Sequence, residues 1–177
     1  MDKITIEKLA VKAMRGNVKA YGKLMEEYKT YLYRTAFLYV KNQDMALDIV
    51  GDCILNGFRK IHTLKSPEYF KTWLTRILIN AAKDHLRKVV PMDDYEQIQL
   101  AAPPAGISPE EKWDLYEAID QLPEKYRSVI ILKYFEDMKI SEISYAMEIP
   151  EGSVKAYLSR AREELRRYLK EDYRYAN

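Results

Sequence analysis

The sequence predicts an all-α protein with two small helical domains joined by a flexible linker. The 177 residues are dominated by helix formers, with only six glycines and no run of alternating β-branched residues. Hydrophobic residues make up 47% of the chain and charged residues 32%, which suits one or two small folded domains. Residues 90–107 are rich in proline and alanine and lack helical periodicity. We therefore expect a linker there, between domains at 1–89 and 108–177.

Composition excludes several classes of protein. No stretch approaches the ~20 apolar residues of a membrane span, and the charged N-terminus does not resemble a secretory signal. The lone Cys53 argues against a disulfide framework and for a reducing cytoplasm. His62 and His85 lie far apart, without a HExxH or paired Glu-x-x-His pattern. We thus expect a cytoplasmic protein with no membrane insertion, active site, metal or cofactor.

Four helices are predicted in the first domain. Apolar spacing indicates a short helix that stops at Gly16, a long helix capped by Asn17, and a third helix over 44–58. A fourth begins at Ser66-Pro67 and runs to about residue 88. The third helix is expected to bury Ile49, Val50, Cys53 and Phe58.

The fourth helix carries a possible nucleic-acid surface. One side is expected to bury Phe70, Leu74, Ile77, Leu78 and Ala81. The other side aligns polar residues with a tryptophan: Trp73, Arg76, Asn80, Lys83, Asp84 and Arg87. An exposed ring can stack on bases, asparagine can donate and accept, and cations hold phosphates, which favours opened DNA strands. The alternative, that Trp73 packs against the second helix and the cations are merely solvated, remains open.

The second domain contains a predicted helix-turn-helix. Its first helix is expected at Ser108-Pro109, with Glu111 completing a capping box. A short helix after Ser141, a turn at Pro150 and a helix over 151–169 follow. The last helix should bury Val154, Leu158, Ala161, Leu165 and Leu169. Its outward rows hold Lys155, Ser159, Arg162 and Arg166, flanked by Ala156, Arg160 and Arg167.

A helix with one apolar stripe and one cationic face fits the DNA major groove. The alternative is a solvated face on which Glu163 and Glu164 pair with the arginines. Charge distribution supports DNA binding despite a net charge of only +2. Residues 59–90 carry eight cations against two carboxylates, and residues 91–124 carry nine carboxylates against one cation. Since phosphate attraction is local, these blocks matter more than the total.

Several segments resemble the bacterial extracytoplasmic-function (ECF) sigma factors of the sigma-70 family. In the second domain the resemblance lies in LPEKYR (122–127), ISEI (140–143), IPEGSVK (149–155) and RAREEL (160–165), which follow that family's region 4. In the first domain, residues 17–33, 48–58 and 72–87 look like region 2 helices. The resemblance implies a subunit that directs core RNA polymerase to promoters, helps to melt promoter DNA and is controlled by an anti-sigma factor.

The resemblance also implies roles for residues. Contacts to the −35 element would come from Ser153, Lys155, Ala156, Tyr157, Ser159, Arg160 and Arg162. Contacts to the melted −10 element would come from Tyr69, Trp73, Arg76, Asn80, Lys83, Asp84 and Arg87, with a flipped-out base in the 60–71 loop. Core polymerase would contact Asp48, Gly51, Asp52 and Leu55.

This sequence departs from the family at several of these positions. Gly51 stands where the family commonly has Gln, and Ser153, Ala156 and Tyr157 replace commoner residues. The promoter sequence therefore does not transfer from relatives. A stand-alone helix-turn-helix regulator, whose N-terminal half binds a ligand or dimerises, is the alternative function.

Overall fold

The structure is a computed structural model that describes residues 1–88 and 109–175. These residues form eight α-helices and no strand, which confirms the predicted all-α class. They divide into two compact units, one built on the helices before residue 89 and one on the helices after residue 108. The linker at 90–107 and the Ser108 cap lie outside the described residues, so the exact domain limits stay a prediction.

The first unit contains four helices, as its apolar spacing predicts. They are α1 (Lys3–Met14), α2 (Val18–Val40), α3 (Gln43–Lys60) and α4 (Phe70–Lys88). Two single 3-10 turns, Ile61–Thr63 and Pro67–Tyr69, form the connection between α3 and α4.

Side-chain caps set the helix boundaries of this unit. The Asn17 side-chain oxygen accepts a hydrogen bond from the Ala20 amide at 2.9 Å, which confirms the predicted cap of α2. Asn42 caps α3 in the same way, through the Met45 amide at 2.9 Å. The third helix therefore begins at Gln43, one residue before the start at Asp44 that the sequence predicts.

The core of the first unit lies where α2, α3 and α4 pack together. Its largest fully buried side chains are Leu24, Leu32, Ile49, Phe70, Leu74, Leu78 and Ile79. Ile49 and Cys53 are buried as predicted, and Val50 is half-buried.

The prediction of a buried Phe58 is wrong, because that side chain is 42% exposed. Its neighbour Gly57 faces α2 instead, and the Tyr21 hydroxyl fills the space beside the glycine. The Phe58 ring covers the outside of this contact, 5.4 Å from the Tyr21 ring.

The second unit also contains four helices. They are α5 (Pro109–Gln121), α6 (Glu124–Ile130), α7 (Ile140–Met147) and α8 (Glu151–Tyr175). Helix α6 continues into a π-helical turn over Ile131–Phe135. Both α5 and α6 pack against α8.

The helix-turn-helix is present, with small shifts of its limits. Helix α7 begins at Ile140 and not after Ser141, because the Glu142 carboxylate accepts from the Lys139 amide at 2.8 Å and caps the helix there. Ile143, Ala146 and Met147 are buried, as are Val154, Leu158 and Ala161 of α8. Leu165 and Leu169 are only half-buried, and α8 runs six residues beyond the predicted end at 169.

Candidate nucleic-acid and protein interfaces

The turn between α7 and α8 is fixed by local hydrogen bonds. Glu148 adopts the left-handed conformation with φ +58°, which ends α7. The Ser144 hydroxyl donates to the Ile149 carbonyl at 2.6 Å. The Pro150 carbonyl then accepts from the Ser153 amide at 2.9 Å and opens α8. This sharp, capped turn allows α8 to start as a separate helix with its own exposed face.

The outward face of α8 is basic, as the sequence predicts. Its exposed members are Lys155, Ala156, Ser159, Arg160, Arg162, Arg166 and Arg167, whereas Ser153 and Tyr157 are half-buried. The small side chains of Ala156 and Ser159 leave the backbone approachable between the cations. The α8 face therefore combines exposed cations with small side chains, a composition typical of helices that bind the major groove.

Two of these arginines are engaged along the helix itself. Arg167 pairs with Glu164 at 3.4 Å, as the solvated-face alternative anticipates. Arg162 donates from Nε to the Leu158 carbonyl at 3.2 Å. An exposed pair of this kind adds little stability and is readily exchanged for a phosphate.

Arg160 has a different partner, the phenol of Tyr126 on α6. A hydrogen bond to the Tyr126 hydroxyl raises the pKa of Arg160 above its usual value, and the Tyr126 ring lies 5.7 Å from the ring of Tyr157 on α8. Sequence reasoning gave Tyr126 no role, although it lies in the LPEKYR segment. The contact joins α6 to the basic face of α8.

The α4 surface differs from its prediction at Trp73. The predicted exposed ring is wrong, because Trp73 is only 4% exposed. Its indole packs on the Phe70 ring, 5.8 Å between centroids, and Nε1 donates to the Thr63 hydroxyl at 3.3 Å. Trp73 thus anchors the 3-10 turn of Thr63 and offers no stacking surface in this structure.

The alternative prediction, in which Trp73 packs against the second helix, is therefore right about burial. The partners of Trp73 are, however, Phe70 and Thr63. The physical reason is that α4 packs against both α2 and α3 and is also covered by the 61–69 connection. Thr72 and Thr75 of α4 are also buried.

The remaining α4 residues keep a polar, accessible row. Asn80, Asp84 and Arg87 are exposed, and Arg76 and Lys83 are half-buried. Arg87 and Asp84 form an exposed ion pair at 3.6 Å. Of the predicted opened-strand residues, Tyr69 offers the accessible aromatic ring, 54% exposed in the turn just before α4.

Helix α3 of the first unit carries the predicted acidic row. Asp48, Gly51, Asp52 and Leu55 are all exposed, with Leu55 at 58%. The Asp52 carboxylate lies 2.8 Å from Nε2 of His85 on α4, which holds it in one orientation.

Two apolar neighbours of this row were missed by the sequence reasoning. Leu47 is 52% exposed and Phe58 is 42% exposed. Both share the outward arc of α3 with Leu55, at a spacing of eight and then three residues, which is a helical repeat. The sequence already contains this spacing, but Phe58 was predicted to be buried. This face thus combines acidic and apolar side chains.

Across the described ranges, 1–88 and 109–175, no cluster of three or more side chains is arranged to hold a metal ion. None of the helices in the part of the chain that the structure describes is long and apolar enough to cross a membrane. Cys53 is a free, buried thiol.

Comparisons with known proteins identify the two units. Residues 24–90 match the family model described as Sigma-70 region 2, and residues 112–165 match Sigma-70, region 4. SigV, an RNA polymerase sigma factor of Bacillus subtilis (strain 168), is 42% identical over 151 residues, which cover 82% of this chain and 89% of SigV. The chain belongs to the ECF sigma factors. The resemblance read from the sequence is thereby confirmed.

Further relatives and solved structures agree with this family. The ECF sigma factor SigW of B. subtilis is 30% identical over 183 residues, covering 94% of this chain and 97% of SigW. The fold is similar to CnrH, solved with the cytosolic domain of CnrY, at a TM-score of 0.72 and 22% identity over 95% of this chain and 99% of that one. It is also similar to RpoE of Bartonella quintana, solved with the anti-sigma factor NepR, at a TM-score of 0.70 and 23% identity over 86% and 98% of the two chains.

The candidate residues of this sigma factor fall within the matched regions. The α3 and α4 rows and Tyr69 lie in the region 2 match, and the basic face of α8 lies in the region 4 match as far as Arg162. The chain is accordingly a transcription initiation factor, as predicted, and not the alternative of a stand-alone helix-turn-helix regulator.

Proposed function

We propose that this ECF sigma factor acts as the promoter-specificity subunit of RNA polymerase, reading duplex DNA with α8 and holding opened strands beside α4. The observation that carries the proposal is the presence, in one chain, of a region 2 match and a region 4 match, each with an exposed polar helix face. The chain supplies binding free energy and positioning, while polymerase performs the chemistry. We propose the cytoplasm, where polymerase and DNA meet, as its location.

For the −35 element, the proposed contacts are the seven α8 residues predicted from the sequence. Lys155, Arg160 and Arg162 are exposed cations suited to phosphates and to guanine edges. Ser153 and Tyr157 are half-buried and are proposed to act at the margin of the face.

For the −10 element, the accessible residues support a revised assignment. Tyr69 replaces Trp73 as the proposed stacking ring, because Tyr69 is exposed and Trp73 is closed off. Asn80, Lys83, Asp84, Arg76 and Arg87 remain the proposed polar contacts along α4. Trp73 supports them indirectly by holding the 61–69 connection against α4.

For core polymerase, the proposed docking surface is the α3 row of Asp48, Gly51, Asp52 and Leu55, enlarged by Leu47 and Phe58. Its exposed leucines and phenylalanine provide apolar area, and its carboxylates provide complementarity to a basic partner. Because polymerase would hold both units near DNA, neither needs to bind a promoter tightly alone.

An anti-sigma partner is also proposed. The support comes from a protein of similar fold, the RpoE of Bartonella quintana, which was solved in complex with the anti-sigma factor NepR. An anti-sigma factor would prevent docking by covering the exposed α3 row or the α8 face.

Transcription with purified components tests this function. Promoters are first selected from a randomised library with the chain and core polymerase, and defined transcripts are then measured with core alone and with core plus the chain. We expect defined start sites only when the chain is added. If core polymerase makes the same transcripts without the chain, or the chain adds none, the proposed function is wrong.

A further inference from the structure

A hydrogen bond between Asp52 and His85 connects the acidic row of α3 to helix α4. The distance from Nε2 of the imidazole to Oδ2 of the carboxylate is 2.8 Å. An ionised carboxylate can only accept a hydrogen bond, so the imidazole is the donor. The two residues are 33 positions apart in the chain, and the contact is therefore a tertiary one.

His85 continues the buried side of α4. Leu78 and Ala81, seven and four residues before it, are both buried, and this helical spacing places the three residues on one side of the helix. Helices α3 and α4 pack against each other. The His85 side chain is accordingly only 20% exposed. Packing thus restrains the imidazole and gives α3 a donor that is held by a neighbouring helix.

Asp52 lies in a more open environment than His85. Its side chain is 51% exposed, and Asp48, one helical turn earlier on α3, is exposed as well. Like charges four residues apart on a helix repel each other. This repulsion favours orientations in which the two carboxylates point apart. The hydrogen bond from His85 opposes that freedom and holds the Asp52 carboxylate in one place.

The oriented carboxylate keeps the capacity to bind a partner. A carboxylate has about four acceptor positions on its two oxygens, and the hydrogen bond from His85 uses one of them. Leu55, three residues after Asp52 on α3, is 58% exposed. The carboxylate therefore lies beside accessible apolar surface. A basic side chain surrounded by apolar groups on a partner protein would match both features.

We propose that His85 is a positioning residue that orients the Asp52 carboxylate for a basic side chain of core polymerase. The inference rests on the proposed docking function of the α3 row. It deepens that function, because the docking surface then depends on two helices, α3 and α4. A side chain that is already oriented loses less conformational freedom when it binds. His85 does not touch polymerase in this account, and its effect passes through Asp52.

The test measures the affinity of the full chain for labelled core polymerase in the absence of DNA. Asp52→Ala should weaken binding by about 10- to 100-fold, because a hydrogen bond to a charged group is lost. His85→Ala should weaken binding by about 2- to 10-fold, because the carboxylate must then be ordered when it binds. The double variant should bind no more weakly than Asp52→Ala alone, because both changes act through one carboxylate.

Two amide variants form a matched pair that tests the position of the donor. The side-chain N–H of glutamine reaches the place of Nε2 in histidine, whereas the shorter asparagine reaches only the place of Nδ1. His85→Gln should therefore bind polymerase like the unmodified chain, and His85→Asn should bind as weakly as His85→Ala. Both amides remove the imidazole ring, so a loss of packing would affect the two alike. Thermal unfolding of each variant verifies that it is folded.

The possible results separate this inference from the proposed function. Unchanged binding by His85→Ala, alongside a loss in Asp52→Ala, would overturn the positioning role and leave the proposed function intact. Equal losses in the two amide variants, or additive losses in the double variant, would overturn it as well, because His85 would then not act through Asp52. Unchanged binding by Asp52→Ala would also overturn it. An unmodified chain that does not bind core polymerase would refute the proposed function, and the inference with it.

Discussion

The hydroxyl of Tyr21 occupies the space that a β-carbon on Gly57 would need, and it donates a hydrogen bond to the Ile54 carbonyl at 2.8 Å. This contact ties α2 to α3 and explains why a glycine is buried in the last turn of the helix that bears the proposed polymerase row. The next nearest atoms, on Leu74 and the Tyr21 ring, are 3.6 Å away at ordinary contact distance. The steric conflict therefore comes from one oxygen atom.

Gly57→Ala should destabilise the first unit by about 1–3 kcal/mol, because the added methyl group forces the tyrosine out of its position. Combining it with Tyr21→Phe removes the conflicting oxygen and should recover most of that loss. Gly51→Ala is the control, since nothing lies within 4 Å of its β-carbon position, and it should stabilise the helix by about 0.5–1 kcal/mol. Denaturant unfolding measures all three, and equal effects at the two glycines would contradict this view.

Asp48→Arg with Asp52→Arg should weaken binding to core polymerase by at least about tenfold, since like charges would face a basic partner. Association with labelled core enzyme measures the effect. Glu26→Arg with Glu27→Arg is the control, because it changes the net charge equally from exposed positions on α2. If both pairs weaken binding alike, net charge and not the α3 row accounts for the affinity.

Tyr69→Ala should impair promoter opening while leaving stability within about 0.5 kcal/mol of the original, because the side chain is exposed. Loss of one stacked base corresponds to about a 5- to 100-fold less stable open complex. Permanganate reactivity of unpaired thymines measures opening. Trp73→Phe is the comparison variant. Its main effect should be a loss of stability, because the hydrogen bond from Trp73 to Thr63 is removed. Normal opening by Tyr69→Ala would exclude Tyr69 as the stacking ring.

Cys53 should be unreactive in the folded protein. Burial raises the pKa of its thiol to about 12, from an ordinary value of 9.0. The thiolate fraction is thus small near neutral pH, and alkylation should be more than about 100-fold slower than in guanidinium. The raised pKa also makes stability depend on pH. It stabilises the folded protein below pH 9.0, and this contribution is lost as pH rises towards 12. Equal alkylation rates in the folded and unfolded states would contradict the burial.

Helical periodicity was sufficient to predict most of this fold. The buried stripe of Val154, Leu158 and Ala161 and the cationic face beside it follow directly from a repeat of 3.6 residues. The α3 row at Asp48 and Leu55 follows for the same reason. These features depend on a single helix and its one buried side.

The failures arise where more than one element determines burial. Trp73 lay on the polar arc of α4, and nothing in its own helix shows that Thr63 and the 61–69 connection fold over it. Phe58 is exposed because Gly57, which has no side chain, leaves room for the Tyr21 hydroxyl on the side of α3 that faces α2. Tyr126 was overlooked because the ring that it packs against, Tyr157, lies on another helix. In each case the deciding contact is tertiary.

Binding to a selected promoter duplex, compared for the chain alone and for the chain with core polymerase, tests the central claim most directly. We predict weak, nearly sequence-independent binding by the chain alone, and tight, sequence-specific binding once core polymerase is added. Equally tight and specific binding without polymerase, or a chain that does not associate with core polymerase at all, would contradict the account.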